Sequence, residues 1–169
     1  KFVLSENMKG ERILLHFGAV DQIADVYWNG IPLTTHEGGY LPFTIELTGY
    51  LDSSVSENEL VLCVKDTLDH TYPYGKQRKD RGGMWYTPVS GIWQTVWMEP
   101  VSESYVKSCH SVADIDASVL NVYVDAVLTE GDACEVVLME CGNVINKGRG
   151  TEVSLHVPQM KLWSPDSPY

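Results

Sequence analysis

The chain has 169 residues, 44% hydrophobic and 21% charged. That is enough apolar material for a core and too little charge for a disordered polyelectrolyte. Twelve Lys and Arg stand against 23 Asp and Glu, a net charge of −11, which argues against nucleic acid or an anionic membrane surface as the main partner, because phosphate binding needs a basic field. No apolar run approaches the ~20 residues that span a bilayer, and at ~150 residues per domain the length fits one domain or two small ones.

Strand periodicity runs through nearly the whole sequence. Arg12–Phe17, Ile23–Trp28, Leu41–Leu47, Leu60–Asp66 and Ile92–Met98 are strand candidates in the first part; Ser104–Val112 and Cys134–Glu140 follow. Leu120, Val122, Val124, Ala126 and Leu128 share one face, and Val153, Leu155 and Val157 another, with polar residues between them. No segment keeps an i, i+3, i+4, i+7 pattern over three turns. Asn29-Gly30 between apolar runs is a strong hairpin signal, since a type I′ turn needs positive φ at both central positions; Gly142-Asn143 is a weaker one. Many short strands separated by turn residues read as all-β sandwiches, not as a parallel sheet.

Pro100 and the polar Ser102-Glu103-Ser104 place a domain boundary near residue 102. The piece 103–169 holds about five strand candidates. A complete immunoglobulin-like sandwich takes ~100 residues and about seven strands, so this piece reads as cut short. Missing strands leave unpaired edges, and the expectation is a chain that dimerises, aggregates or unfolds readily, or accepts a strand from another chain.

Four cysteines, Cys63, Cys109, Cys134 and Cys141, would permit two disulfides, but there is no CxxC and the density is low. Reduced thiols are the favoured reading, with Cys63 buried in the apolar run 60–64. The absence of an Asn-x-Ser/Thr sequon agrees with a reducing compartment, and the expected location is a bacterial cytoplasm.

Residues 67–91 carry no strand or helix period. Loops longer than ~12–15 residues in compact domains are functional or disordered, and this one holds Tyr72, Tyr74, Trp85 and Tyr86. It also holds Lys76, Arg78, Lys79 and Arg81 against one acid, Asp80, so residues 75–82 are +3 while the rest of the chain is −14. Trp85 and Tyr86 could form a flat platform for the C–H face of a sugar, with the basic side chains as donors; equally, Trp85 could cover the sandwich edge and the bases could form a solvated face. Trp93 and Trp97, four apart on one strand face, are expected in the core.

No P-loop or nucleophile elbow is present, since Gly38-Gly39 and Gly82-Gly83 lack a following Lys-Ser/Thr and Pro88 stands where an elbow needs glycine. The five histidines form no HxH or HExxH, so no metal site and no cofactor are expected. Glycoside hydrolysis needs two carboxyls ~5–9 Å apart. Glu37 and Asp80 are the two whose context suggests a site, but without a partner to split pKa values with, solvated turn positions are the favoured reading of both.

Arg12-Ile-Leu-Leu-His-Phe-Gly-Ala-Val-Asp21, Val26-Tyr-Trp-Asn-Gly30, His36-Glu-Gly-Gly-Tyr-Leu-Pro-Phe43 and Ser90-Gly-Ile-Trp-Gln-Thr-Val-Trp-Met-Glu-Pro100 together resemble the N-terminal sugar-binding domain of glycoside hydrolase family 2. Leu162-Trp-Ser-Pro-Asp-Ser-Pro-Tyr169 resembles the end of the immunoglobulin-like domain that follows it in that family. The resemblance implies a galactose-binding-like jelly roll over 1–102, its first strands absent, and a C-terminally truncated immunoglobulin-like sandwich over 103–169. In the family both catalytic glutamates sit on a TIM barrel beyond these domains, and no residue here matches either. The implied role is the non-catalytic front of a retaining β-glycosidase of β-galactosidase or β-glucuronidase type, inactive alone, with the barrel and carbohydrate as partners and a second copy of the chain admitted as one. A stand-alone carbohydrate-binding module and, for 103–169, a structural spacer are the competing readings. In some family members a carboxylate before a Met-Trp pair of the first domain contacts sugar and sodium. Gly83 precedes Met84-Trp85 here, and Asp80 is the nearest substitute. Asp80, Arg81, Trp85, Tyr86 and Glu37 are therefore the expected residues of the substrate rim, with no catalytic residue among them.

Overall fold

The computed structural model describes residues 1–5, 8, 12–52, 55–80 and 82–168. It is all-β and divides into two compact units, Lys1–Val101 and Ser102–Tyr169.

The first unit holds β1 (Arg12–Phe17), β2 (Val20–Asp21), β3 (Ile23–Trp28), β4 (Ile31–Glu37), β5 (Phe43–Glu46), β6 (Leu60–Lys65), β7 (Gly91–Ile92) and β8 (Val96–Val101). Two antiparallel three-stranded sheets, ordered β5-β1-β8 and β4-β3-β6, carry the core, and β2 pairs with β7 as a short ribbon. Period-2 alternation explains the core directly. Ile13, Leu15 and Phe17 point inward from β1, and Ala24, Val26 and Trp28 from β3, all at 1% exposure or less. Val20 and Leu47 complete the buried cluster, and half-buried Leu33, Phe43, Ile45, Leu62, Val64, Val96 and Met98 pack around it. Each large side chain so enclosed favours the fold by about 1.5–3 kcal/mol relative to exposure.

The β3–β4 hairpin turns at Asn29 (φ 49°) and Gly30 (φ 81°), the positive pair that a type I′ turn requires. Asn29 also ties this tip to the start of β6. Its Oδ1 accepts the Glu59 N–H at 2.7 Å, and its Nδ2 donates to Asn58 Oδ1 at 3.0 Å.

The second unit holds β9 (Tyr105–Asp114), β10 (Val119–Val127), β11 (Glu135–Glu140), β12 (Asn143–Arg149) and β13 (Glu152–His156), paired antiparallel as β13-β10-β9 and β11-β12. The β11–β12 turn sits one residue earlier than the sequence suggests, at Cys141 (φ 47°) and Gly142 (φ 83°), because Glu140 pairs with Asn143. At the start of this unit Asp132 accepts hydrogen bonds from the hydroxyls of Ser104 and Thr129, and Ser104 Oγ accepts the Thr129 N–H at 2.9 Å.

Three expectations about side-chain direction fail. Cys63 is exposed, since Leu62 and Val64 take the inward positions of β6. Trp97 is 44% exposed because Val96 and Met98 flank it on the inward face; its ring stacks instead on His16, with centroids 4.7 Å apart. Trp93 precedes β8 and lies 52% exposed on the surface. All four cysteines are free thiols.

Candidate functional site

Strand pairing brings three distant segments together in the first unit. Asp21 pairs with Gly91 across the β2–β7 ribbon, and the chain after β4 folds back so that the Gly38 N–H donates to the Gln22 carbonyl at 2.9 Å. Gly39 then lies against Asp21. A Cβ at Gly39 would come 2.5 Å from Asp21 Oδ1 and 3.3 Å from Gln22 Oε1, so with any other residue the ends of these side chains must turn aside. Trp93 is fixed to the same point, its indole Nε1–H donating to the Gly39 carbonyl at 2.7 Å. Tyr40 meets the Trp93 ring edge-to-face, 6.0 Å between centroids and 74° between planes.

These residues enclose a cavity of about 260 Å³ with Asp21 and Gly39 at one side and Tyr40 and Trp93 at another. The long loop closes it with Gln77, Val89, Ser90 and Gly91. Burial, with a smaller contribution from the nearby Asp66 charge, raises the Asp21 pKa above the ordinary carboxylate value. Asp66 itself does not line the cavity, and its Oδ1 accepts the Leu68 N–H at 2.9 Å.

Hydrogen bonds tie the described residues of the long loop together. Asp69 Oδ1 accepts both the N–H and the hydroxyl of Thr71 at 2.8 Å, which lowers the Asp69 pKa. Gln77 is the clasp: its Nε2 donates to the Tyr74 carbonyl at 3.1 Å and its Oε1 accepts the Val89 N–H at 2.6 Å. On either side of it the Tyr86 N–H donates to Lys76 O and the Arg78 N–H to Tyr86 O.

The residues expected at a substrate rim lie at the end of β4 and along the long loop. Glu37 is exposed at the end of β4, where its carboxylate stands 3.5 Å from the Tyr72 hydroxyl and raises that group's pKa. Trp85 is half-buried beneath Arg78, whose guanidinium carbon lies 3.9 Å from the ring centroid, a cation–π contact. Tyr86 is 64% exposed and serves the loop through its backbone. Asp80 is exposed on the same loop, and Arg81 lies outside the described residues. None of the four described residues lines the cavity. Asp21, Tyr40 and Trp93 do, and all three fall inside segments whose residue pattern is distinctive; Gln77 has no local signal in the sequence.

The family model described as Glycosyl hydrolase 2 galactose-binding domain-like matches residues 1–96. The chain is 27% identical over 183 residues to a beta-galactosidase of Thermoanaerobacter pseudethanolicus, covering 99% of this chain and 24% of that protein. It is 22% identical over 184 residues to a beta-glucuronidase of Paenibacillus borealis, covering 99% of this chain and 30% of that one. Among solved structures, the beta-D-glucuronidase of Dictyoglomus thermophilum superposes with a TM-score of 0.73 at 23% identity, over 99% of this chain and 31% of that one. The apo b-glucuronidase of Ruminococcus gnavus gives 0.78 at 24%, over 99% and 30%. The structural likenesses establish the fold, and the chain spans 24–31% of the length of these relatives.

Proposed function

The chain belongs to the glycosyl hydrolase 2 galactose-binding domain-like family, and on that premise we propose that it is the non-catalytic front of a β-glycosidase of galactosidase or glucuronidase type. The observation that carries this reading is the single carboxylate, Asp21, among the described residues that line the cavity. Hydrolysis of a glycosidic bond with two carboxyl groups requires both to face the sugar, ~5–9 Å apart. Asp66 is the near neighbour of Asp21, but it is turned into a backbone hydrogen bond and off the cavity wall. A lone acid with a raised pKa has no second group from which to divide the roles of acid and nucleophile. The chemistry belongs to another domain of the parent enzyme, and these two units support it and border its active site.

The test compares the full gene product that contains this chain with the chain alone, on p-nitrophenyl β-D-galactopyranoside and p-nitrophenyl β-D-glucuronide. The parent turns over at least one of them and the chain alone turns over neither. Hydrolysis by the chain alone, or a parent inert on every aryl β-glycoside, would reject the proposal. The mass of the native gene product separates this reading from a free-standing carbohydrate-binding module, because a catalytic TIM barrel adds ~250 residues.

A further inference from the structure

We propose that the open edge of β9 pairs with the same edge of a second copy of the chain, antiparallel across a two-fold axis at Ser111, and so joins two β13-β10-β9 sheets into one.

At ten residues β9 is the longest strand among the described residues, and it is the end strand of its sheet, paired with β10 alone. In an antiparallel ladder the N–H and C=O of one residue point the same way and alternate along the strand. The Val124 N–H donates to the Thr151 carbonyl at 2.7 Å, toward β13. Asn121, Tyr123 and Asp125 therefore turn toward β9, where they meet Val112, His110 and Ser108. The residues between these, Cys109, Ser111 and Ala113, turn their N–H and C=O groups to the open side, and all three are exposed. Such a row of unpaired donors and acceptors is a template for another strand.

Other edges carry guards against pairing. β4 holds Pro32, β8 holds Pro100, and β11 has a glutamate at each end. In β9 the guard sits only at the start. Ser108 opposes Asp125 and Val106 opposes Ala126, so Lys107 is bulged out of the ladder. From Ser108 to Ala113 there is no proline, no acid, and no Lys or Arg. With a net charge of −11, two copies repel each other in general, and this segment is one along which they can approach.

The segment is also complementary to itself, as a two-fold contact must be. With Ser111 on the axis, the two Ser111 residues exchange backbone bonds, and Cys109 exchanges them with Ala113 of the second copy on either side, about six hydrogen bonds in all. A centre at Cys109 would draw the bulge into the ladder, and a centre at Ala113 would run past the end of the strand at Asp114. Charge supports the same register. Lys107 lies on the Asp125 side of the sheet, 3.7 Å from that carboxylate, and Ser108 beside it comes opposite Asp114 of the second copy. Lys107 and Asp114 thus meet at both ends of the ladder. Between them Val112 comes opposite His110, whose ring stacks on Tyr123 at 4.8 Å.

The experiment is sedimentation velocity of the 169-residue chain with its thiols reduced, in ~150 mM salt and from about 5 to 500 µM, a range that brackets the micromolar Kd of a small contact. The expected result is a monomer–dimer equilibrium. Ser111→Pro removes the outward N–H and leaves the β10 ladder whole, and it is expected to weaken the dimer about tenfold or more with an unchanged circular dichroism spectrum. Ala113→Cys supplies a second variant should Ser111→Pro fold poorly. Paired residues of this kind have Cα atoms ~5.5 Å apart, within disulfide range, so on oxidation the new thiol is expected to link to Cys109 of the second copy. Within one chain the two positions are ~13 Å apart and cannot bridge. Mass spectrometry of the linked peptides locates the bond, and adding Cys109→Ser abolishes it. A monomer at every concentration, an undiminished dimer in folded Ser111→Pro, or an oxidised Ala113→Cys dimer without that link would overturn the proposal.

Discussion

In the first unit β1 and β3 face each other across a sealed core, and Ile13, Leu15, Phe17, Val26 and Trp28 are at 1% exposure or less. In the second unit, among the described residues, only Val122 and Leu155 fall to 5% and 2%. Alternation is present in both, so alternation alone does not make a core. β11 shows why: half-buried Val136 and Leu138 occupy one face while exposed Val137 and Met139 occupy the other. A strand with apolar residues on both faces is only half-covered by one neighbouring sheet.

The contrast can be broken most directly through the two cores. Trp28→Ala removes the largest sealed side chain and is expected to cost about 3–5 kcal/mol, measured by urea denaturation with circular dichroism. Leu155→Ala is expected to cost about 2 kcal/mol, the low end for such truncations, because a thinly covered site can collapse. A Leu155→Ala penalty equal to that of Trp28→Ala would show the second unit to be packed as tightly as the first.

Gly39→Ala comes next and acts inside the first unit alone. Its methyl group would overlap Asp21 Oδ1, the end of a side chain able to turn aside, so the cost is expected at the low end of the about 1–3 kcal/mol of overpacking. A lowered melting temperature together with a displaced Trp93 indole signal is the expected pair of observations.

The smallest effects concern acid, and they run in opposite directions. The folded Asp21 pKa is raised, first by burial and then by Asp66, so Asp21 subtracts stability as pH rises from the unfolded carboxylate value through the raised one. Asp21→Asn should abolish that fall. The folded Asp132 pKa is lowered by its hydrogen bonds from Ser104 first and Thr129 second. Its contribution is present above the unfolded value and is lost as pH drops through the folded one. Ser104→Ala should flatten that loss. Hydrogen exchange at β1 and β3 against β10 and β13, followed across the carboxylate range, reads the two slopes separately.

Much of the fold was legible locally. β1 and β3 occupy the spans their alternation predicts, and Asn29-Gly30 turns where positive φ is available. The side chains that surprised lie where residue type and position disagree. Cys63 and Trp97 are apolar residues at outward positions between inward pairs, and an unbroken apolar run conceals which register the sheet will choose. The site was less legible. Asp21, Gly39, Gln77 and Trp93 are spread over most of the first unit and converge only through β2–β7 pairing and the Gln77 clasp. Charge and aromatic content drew attention to Asp80, Arg81, Trp85 and Tyr86; of these, Trp85 carries the Arg78 guanidinium over its ring and Tyr86 ties the loop through its backbone.

The tip of the β3–β4 hairpin also bears on how the molecule ages. Asn-Gly is the dipeptide in which the following amide nitrogen most easily attacks the asparagine side chain, closing a succinimide and expelling ammonia. Here both atoms of the Asn29 amide are engaged by residues 58 and 59, and the backbone at Asn29 and Gly30 is committed to a tight turn. Ring closure must wait until this corner opens. Isoaspartate at position 29, visible as a mass gain of about one dalton, would accumulate in step with local opening of the β3–β4 corner, so that stored protein carries a chemical record of how often that corner has come undone.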